Sequence, residues 1–192
     1  MARRILYLVR HGQYTSTTPH PEEPDGALTD IGRQQAELVG RRLGQISINK
    51  IHYSTLQRTR ETAEIIAGQI PGVPVQPSDL LRECIPSVPE EFKEHFTGIP
   101  ADFIERSKTQ AEQAFDAFFK SGDGNDDQHE ILVSHGNLIG YLVCRVLKAP
   151  IDSWILADIY LGSFSQVLVG PNGFMKIIRH NDSGHLPPEL LP

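Results

Sequence analysis

The stretch that decides the fold of this chain is Ile5-Leu6-Tyr7-Leu8-Val9-Arg10-His11-Gly12. Its first five residues form a short apolar run, which predicts a buried strand. Arg10 and His11 stand where that strand ends, and we expect Gly12 to let the backbone turn sharply there. Open α/β sheets bind their ligands at the carboxyl ends of strands. The stretch therefore predicts a strand of the sheet with a functional site at its end.

A second stretch far downstream repeats this arrangement. Ile131-Leu132-Val133-Ser134-His135-Gly136 is another apolar strand that is followed by a histidine and a glycine. Because ligand sites of such sheets gather at the strand ends, we expect the two histidines to serve one site. Two imidazoles with Arg10 beside the first of them suit an anionic substrate.

Length and composition narrow the class of protein. The chain has 192 residues, which favours a single domain over residues 1–192 with one core. Its net charge of −6 leaves no basic stripe to match a nucleic-acid backbone, so we expect no nucleic-acid partner. No apolar stretch approaches the ~20 residues that a membrane span needs. We therefore expect no membrane segment and a cytoplasmic location. Two cysteines, Cys84 and Cys144, imply no disulfide framework.

Strand and helix patterns alternate along the rest of the chain. Helical periodicity covers residues 30–44, 56–67, 101–119 and 137–147, and strand patterns cover 48–53, 73–76, 129–134, 160–169 and 174–179. Thr29 has the properties of an N-cap for the first helix. Breaker residues predict polar loops over 13–27 and 122–128 and a loop or irregular lid over 84–100. The alternation predicts an α/β fold: a single domain with a mostly parallel central sheet flanked by helices on both faces.

Three further motifs lie between or beside the two histidine strands. They are Leu28-Thr29-Asp30-Ile31-Gly32-Arg33-Gln34-Gln35-Ala36, Ser54-Thr55-Leu56-Gln57-Arg58-Thr59-Arg60-Glu61-Thr62-Ala63 and Leu81-Arg82-Glu83. Together with the two strand ends, and in this order, they resemble the histidine phosphatase superfamily, also called the phosphoglycerate-mutase-like family. One short motif would be weak evidence, but five in the right order are specific. The resemblance implies the phosphoglycerate-mutase-like version of the predicted fold.

Other segments resemble one branch of that superfamily, the mitochondrial serine/threonine protein phosphatases of the PGAM5 type. They are residues 80–83, 141–145, 171–173 and 182–188. Members of the branch carry a membrane anchor and an oligomerising segment ahead of the phosphatase domain. The resemblance therefore implies a catalytic domain and keeps a homo-oligomer open. Gln13, Thr55 and Thr59 depart from common family residues, and none of them replaces a catalytic group.

The resemblance implies roles for five side chains. His11 is the expected nucleophile, because a neutral imidazole attacks phosphorus well at neutral pH and gives a phosphohistidine. Glu83 is the expected acid for the leaving alkoxide. Arg10, Arg58 and His135 are the expected phosphate-binding residues, with His135 as an imidazolium. Since these cations supply the positive charge, we expect no metal and no cofactor. We also expect the His11 ring to face solvent and to contribute little packing.

Several simpler interpretations compete with these roles. A strand-end histidine is usually a satisfied polar residue, and an arginine at position 58 is usually exposed on a helix surface. Glu61, Glu64 and Asp79 are alternatives to Glu83 as the acid. Cys84 suggests a thiol mechanism, but no arginine follows at the spacing of cysteine phosphatases. The remaining histidines lack metal-ligand spacing and are His20, His52, His95, His129, His180 and His185.

The sequence thus predicts a metal-independent phosphomonoesterase, with serine/threonine protein phosphatase activity implied by the resemblance. A small-metabolite phosphatase of the same fold is the alternative. A mutase is less favoured, because only about 50 residues separate Glu83 from His135, and a non-catalytic docking module is least favoured. The expected partner is a phosphorylated protein or a small phosphomonoester. Residues 84–100 carry three glutamates against one lysine, a balance that disfavours strongly acidic metabolites.

Overall fold

The computed structural model describes residues 2–17, 25–122 and 125–191. Residues 18–24 and 123–124, which belong to two of the predicted polar loops, and with them His20, lie outside the described residues. Of the helices in the described ranges, none is both long enough and apolar enough to cross a bilayer.

The described elements follow the predicted alternation. In chain order they are β1 (Arg4–Arg10), α1 (Asp30–Leu43), β2 (Lys50–Tyr53), α2 (Gln57–Gly68), β3 (Val75–Pro77), α3 (Ala101–Phe118), β4 (Gln128–Ser134), α4 (Gly136–Leu147), β5 (Phe164–Val169) and β6 (Met175–Asp182). Short 3₁₀ helices cover Asp79–Leu81, Glu90–Phe96, Ile151–Leu156 and Pro188–Leu190. The predicted N-cap is confirmed, because the Gly32 N–H donates to Thr29 Oγ1 at 3.1 Å.

One sheet holds the strands in the order β3-β2-β4-β1-β5-β6. The β1, β2, β3 and β4 strands pair in parallel, whereas β5 pairs antiparallel with both β1 and β6. The mostly parallel sheet is therefore confirmed. Arg10 is opposite Ser134 in the register of β1 and β4, and the His11 N–H donates to the Ser134 carbonyl at 3.0 Å. This register brings the two histidine strand ends side by side.

The central strands β1 and β4 are buried on both faces, as the apolar β1 run predicts. Tyr7 and Val9 of β1 pack with α1 and α2 side chains such as Val39. Leu6 and Leu8 pack against α3 and α4 on the opposite face. Each large aliphatic side chain buried in this way contributes about 1.5–3 kcal/mol relative to exposure. The two cores hold the carboxyl edge of β1 and β4 in a fixed place.

Several strand limits differ from the sequence prediction by one to three residues, and two segments differ more. The β5 strand begins at Phe164 and not at residue 160, because the turn before it bonds to the end of β1. There the Arg10 N–H donates to the Ser163 carbonyl at 3.1 Å, and the Gly162 N–H to the Arg10 carbonyl at 3.2 Å. The segment 84–100 is irregular, as predicted, but it is not a loose lid. Its apolar side chains join a third hydrophobic cluster around Trp154.

Candidate active site

The two histidines meet at the end of β1 and β4, with ring centroids 5.1 Å apart. His11 is 2% exposed and His135 is fully buried. The expectation that His11 faces solvent is therefore wrong. Its ring lies between His135 and Tyr14, whose ring meets it edge-on at 5.3 Å. The turn after β1 folds back onto α1, and this closes the ring off from water.

Arg58 fixes the proton positions on both rings, because a guanidinium can only donate. Its Nε donates to His11 Nε2 at 3.1 Å, so the His11 proton is on Nδ1, which donates to the Gly12 carbonyl at 2.8 Å. Its Nη2 donates to His135 Nδ1 at 2.9 Å, and His135 Nε2 donates to Ser54 Oγ at 2.8 Å. Each ring thus presents one lone pair to the same guanidinium.

Burial and nearby cations keep both imidazoles neutral. Burial lowers the pKa of His11 well below its ordinary value, and the Arg58 charge lowers that pKa further against the Gly12 hydrogen bond. Burial likewise lowers the pKa of His135, with added contributions from His11, Arg58 and Arg10. The expectation that His135 is an imidazolium is therefore wrong for this state of the site, because the charged ring would lie unsolvated beside two guanidinium groups.

Arg58 is itself held from two sides. Its side chain is 1% exposed, and Nη1 lies 3.3 Å from Asp25 Oδ1. The other Asp25 oxygen accepts from the Gln57 N–H at 2.9 Å, so one carboxylate also caps the start of α2. The Tyr14 ring lies 4.6 Å from Arg58 Cζ in a cation–π contact. These contacts set the plane of the guanidinium that faces the histidines.

Three residues of this arrangement were not predicted as site residues from the sequence. Ser54 had a usable signal, because a hydroxyl residue precedes Arg58 by four positions in a recognisable motif. Asp25 and Tyr14 had none, since both lie in or beside a polar loop and reach Arg58 only through the chain fold. The Thr59 hydroxyl donates to the Ser54 carbonyl at 2.7 Å and supports the turn into α2.

Arg10 lies on the other side of the histidine pair. Its Nη1 donates to the Ile159 carbonyl, and its Nε is buried without a partner in the described part of the chain. Burial lowers the pKa of Arg10, and the carboxylates of Glu83 and Asp158 oppose that shift. A Cβ on Gly136 would lie 3.3 Å from Arg10 Cζ, so this glycine leaves room for the guanidinium at the N-terminus of α4. That helix end adds positive potential where an anion would bind.

Gly12 is required for a reason other than the predicted sharp turn. Its φ is not in the left-handed region. A Cβ at Gly12 would lie 2.3 Å from the Gly32 carbonyl oxygen, and a Cβ at Gly32 would lie 1.9 Å from the Gln13 carbonyl oxygen. The turn at Gly12 and the start of α1 at Gly32 therefore pack against each other as one unit. Gln13 strengthens it, because its Oε1 accepts from the Thr29 hydroxyl at 2.7 Å.

Hydrogen bonds on both sides of Glu83 hold the segment that carries it. Ser134 Oγ donates to the Leu81 carbonyl at 2.9 Å, and Asn137 Nδ2 donates to the Cys84 carbonyl at 3.0 Å. The Cys84 N–H in turn donates to Glu83 Oε1 at 3.1 Å. The segment is thereby held against β4 and α4, and within the described residues no ion-pair contact holds the Glu83 carboxyl in its ionised form.

The electrostatic setting of Glu83 suits a proton donor. Burial raises the pKa of the Glu83 carboxyl, and the Cys84 N–H and the charges of Arg58 and Arg10 partly oppose that shift. Burial also raises the pKa of the Cys84 thiol well above its ordinary value, and the Glu83 charge adds to that. The thiol is therefore protonated at neutral pH, which argues against the thiol mechanism.

The alternative acids have other partners. Glu61 accepts from Arg33 at 2.9 Å, and Asp79 accepts from the Thr55 hydroxyl at 2.6 Å. Glu64 is exposed on α2. The Glu83 carboxylate, in contrast, raises the pKa of both Arg10 and Arg58 against the effect of their burial. Within the described ranges, no three His, Cys, Asp or Glu side chains group so that they could hold a metal ion.

A change at Asp25 tests how much the contacts that hold Arg58 contribute to catalysis. We expect Asp25→Ala to lower kcat/KM for p-nitrophenyl phosphate about tenfold, because a hydrogen bond to a charged group contributes about 1.5–3 kcal/mol. Asp25→Asn should lose less, since its amide oxygen still accepts from the Gln57 N–H. Kinetics and thermal unfolding measure both variants against the exposed Asp30→Asn. An Asp25→Ala enzyme as active as the control would contradict the expectation.

Comparison with known proteins gives a matching family and several related sequences. Residues 6–183 match the sequence profile of the Histidine phosphatase superfamily (branch 1). The chain is 38% identical over 195 residues to the serine/threonine-protein phosphatase PGAM5, mitochondrial, of Xenopus tropicalis. That alignment covers 99% of this chain and 68% of the relative. The human protein of that name is 35% identical over 197 residues, with 99% and 66% covered.

A solved structure supports the same fold. The protein YhfR of Bacillus stearothermophilus superposes with a TM-score of 0.76 at 23% identity, over 95% of this chain and 98% of that one. The profile covers nearly the whole chain, and the relatives align along almost all of it. On these grounds the chain belongs to the histidine phosphatase superfamily, branch 1, and is a phosphoric monoester hydrolase.

Proposed function

We propose that residues 1–192 form one histidine phosphatase domain that hydrolyses phosphoserine and phosphothreonine in proteins without a metal. The observation that carries the proposal is the single buried guanidinium of Arg58 that contacts both His11 Nε2 and His135 Nδ1. A phosphoryl group placed there meets a nucleophile and a paired donor together. The names of the PGAM5 relatives support the serine/threonine protein substrate.

The first step transfers the phosphoryl group to His11. The Arg58 guanidinium turns its N–H groups from the rings to the phosphate oxygens, which frees the lone pair on Nε2. That lone pair attacks phosphorus in line, so the N–P bond forms and the ester P–O bond breaks. Glu83 gives its proton to the leaving alkoxide. Arg10 and Arg58 neutralise the equatorial oxygens during transfer.

The second step returns the enzyme to its starting state. Water attacks the phosphohistidine while the Glu83 carboxylate takes its proton, and the N–P bond breaks to release phosphate. When the guanidinium turns, His135 Nδ1 loses its Arg58 donor and takes up a proton from solvent, because the negative phosphate favours the protonated ring. The resulting N–H binds a third phosphate oxygen, so the substrate itself supplies the charge that makes His135 an imidazolium.

One substrate panel, assayed with EDTA present, tests the proposal. We expect hydrolysis of p-nitrophenyl phosphate at an undiminished rate, and we expect phosphoserine and phosphothreonine peptides to exceed sugar bisphosphates and phosphoglycerates in kcat/KM. Activity that EDTA abolishes and a divalent ion restores would contradict metal independence. A phosphometabolite that exceeds every phosphopeptide would move the assignment to a small-metabolite phosphatase.

Location and assembly are part of the proposal. A cytoplasmic location is the expectation from the sequence, whereas the relatives' names include the word mitochondrial. Cell fractionation of the protein expressed from its own gene decides between the two. No nucleic-acid partner is proposed, and sedimentation measures whether the chain forms a homo-oligomer.

A further inference from the structure

A groove of about 830 Å³ lies between α3, α4 and the β5–β6 hairpin. Its lining includes the aromatic side chains of Phe115 and Tyr141 and the hairpin residue Phe174, which is 62% exposed. None of the five proposed site residues lines this groove. The groove is therefore separate from the phosphate site, and the proposed reaction does not use it.

The lining of the groove is strongly cationic for this chain. Lys108, Arg145 and Lys148 line it, and Glu112 is the one acidic residue among the described lining residues. None of the three cations forms an ion pair with a carboxylate in the described part of the chain. The whole chain carries a net charge of −6. The groove is thus a local positive region on an acidic protein, which favours an anionic occupant.

The fold holds the Arg145 side chain in place and fixes the backbone of Lys148. Arg145 Cζ lies 4.3 Å from the Phe115 ring centroid, and Nη1 donates to Tyr141 Oη at 2.7 Å. Lys148 ends α4 with a φ of 55°, in the left-handed region where glycine or asparagine is usual. A lysine at such a position strains the backbone but places a charge at the end of the groove. Cations and apolar surface are therefore presented together.

One end of the groove lies close to the proposed acid along the chain. Ser87 lines the groove and is fixed by Trp154, whose Nε1 donates to Ser87 Oγ at 3.0 Å. Ser87 follows Glu83 by four residues, a separation that spans at most about 14 Å even when fully extended. A peptide with its phosphate in the site therefore reaches the groove after about four or five further residues.

We propose that this groove docks a flanking segment of the phosphoprotein substrate. The segment carries aspartate or glutamate beside a bulky apolar side chain, about five to ten residues from the phosphorylated residue. The carboxylates meet Lys108, Arg145 and Lys148, and the apolar side chain covers Phe115 and Phe174. The inference rests on the proposed function, because it names the feature by which that phosphatase would select among protein substrates.

A pair of phosphopeptides provides the test. Both carry the same phosphoserine core, and one has extensions of alternating Glu and Leu on each side while the other has Gly-Ser extensions. For the wild-type enzyme we expect kcat/KM for the Glu-Leu peptide to be about tenfold higher, mainly through KM, and the gain to shrink with added salt. The fluorescently labelled, unphosphorylated Glu-Leu peptide should bind saturably in an anisotropy titration.

Matched variants locate the effect. Lys108 and Lys148 are both exposed, so Lys108→Glu combined with Lys148→Glu should fold normally, remove the gain and abolish peptide binding. Activity on p-nitrophenyl phosphate should be unchanged. Arg106→Glu is the control, because Arg106 is also an exposed cation of α3 but does not line the groove.

The outcomes separate this inference from the proposed function. Equal kcat/KM for the two peptides, or a gain that persists in the double variant, overturns the docking groove while the phosphatase assignment stands. A double variant that dissociates in sedimentation shows a contact between copies of the chain and also overturns it. If the wild-type chain binds the peptide and the double variant does not, the groove is supported. If no phosphopeptide is hydrolysed as well, the proposed substrate class fails while the groove stands.

Discussion

Replacing His11 by Ala is expected to lower kcat/KM for p-nitrophenyl phosphate by about 10⁴-fold or more. The reason is that the proposed reaction forms a bond between phosphorus and His11 Nε2. The contacts to Gly12 and Arg58 keep this nitrogen unprotonated, with its lone pair facing the site. Apart from His135, no other described histidine presents an unprotonated ring nitrogen to the Arg58 guanidinium. Without His11, direct transfer of the phosphoryl group to water is the expected remaining path, unless His135 takes over as the nucleophile.

Burial makes the choice of variant important. His11 is 2% exposed, so Ala leaves a cavity and removes the acceptor of Arg58 Nε, which costs stability as well as chemistry. His11→Asn is the better partner variant, because its amide oxygen can still accept from that guanidinium. Thermal unfolding of both variants separates lost folding from lost turnover.

Labelling during turnover identifies the nucleophile directly. Wild-type protein quenched with a ³²P-labelled phosphoester should carry label that is lost in acid and kept in base, as a phosphohistidine would. We expect no such label in His11→Asn. Label of the same stability in that variant would place the nucleophile elsewhere, with His135 the residue to test next.

Replacing Glu83 by Gln is expected to slow phosphoserine hydrolysis by about 10²–10⁴-fold and to change p-nitrophenyl phosphate hydrolysis far less. A serine alkoxide needs a proton to leave, whereas nitrophenolate leaves without one. Gln has nearly the same shape and can accept from the Cys84 N–H as Glu83 does at 3.1 Å. Steady-state kinetics on both substrates measures the difference, and an equal loss on both would indicate a structural role.

The pH dependence supplies a second measurement on the same variant. Burial raises the pKa of Glu83, so the acid form persists to higher pH than for an ordinary carboxyl, and activity on phosphoserine falls as pH rises through that pKa. Burial lowers the pKa of His11, so the nucleophile becomes protonated only at acidic pH. The Glu83→Gln enzyme should lose the alkaline limb and keep the acidic one. A variant that keeps both limbs would argue that another group is the acid.

Local patterns determined much of the fold. The apolar run before Arg10 and its counterpart before His135 predict buried strands, because only a strand covered on both faces tolerates such a run. The N-cap at Thr29 and the helical periodicity that follows it gave α1 to within a residue. These predictions succeed because they depend on neighbours in the chain. The start of β5 was misplaced, because its limit depends on bonds between Gly162 and Arg10.

The sequence by itself also determined which residue types are expected at the proposed site: two strand-end histidines, two arginines and an acid in a recognisable order. Only the tertiary structure decided their state. Burial of His11 and His135, their neutral forms and the bonds from Arg58 depend on the loss of water around groups that are distant in the chain. The pairing of Asp25 with Arg58 depends on the path of a polar loop, which no local pattern encodes. Solvation and long-range distance are properties of the folded chain, and for that reason they could not be predicted from residue order.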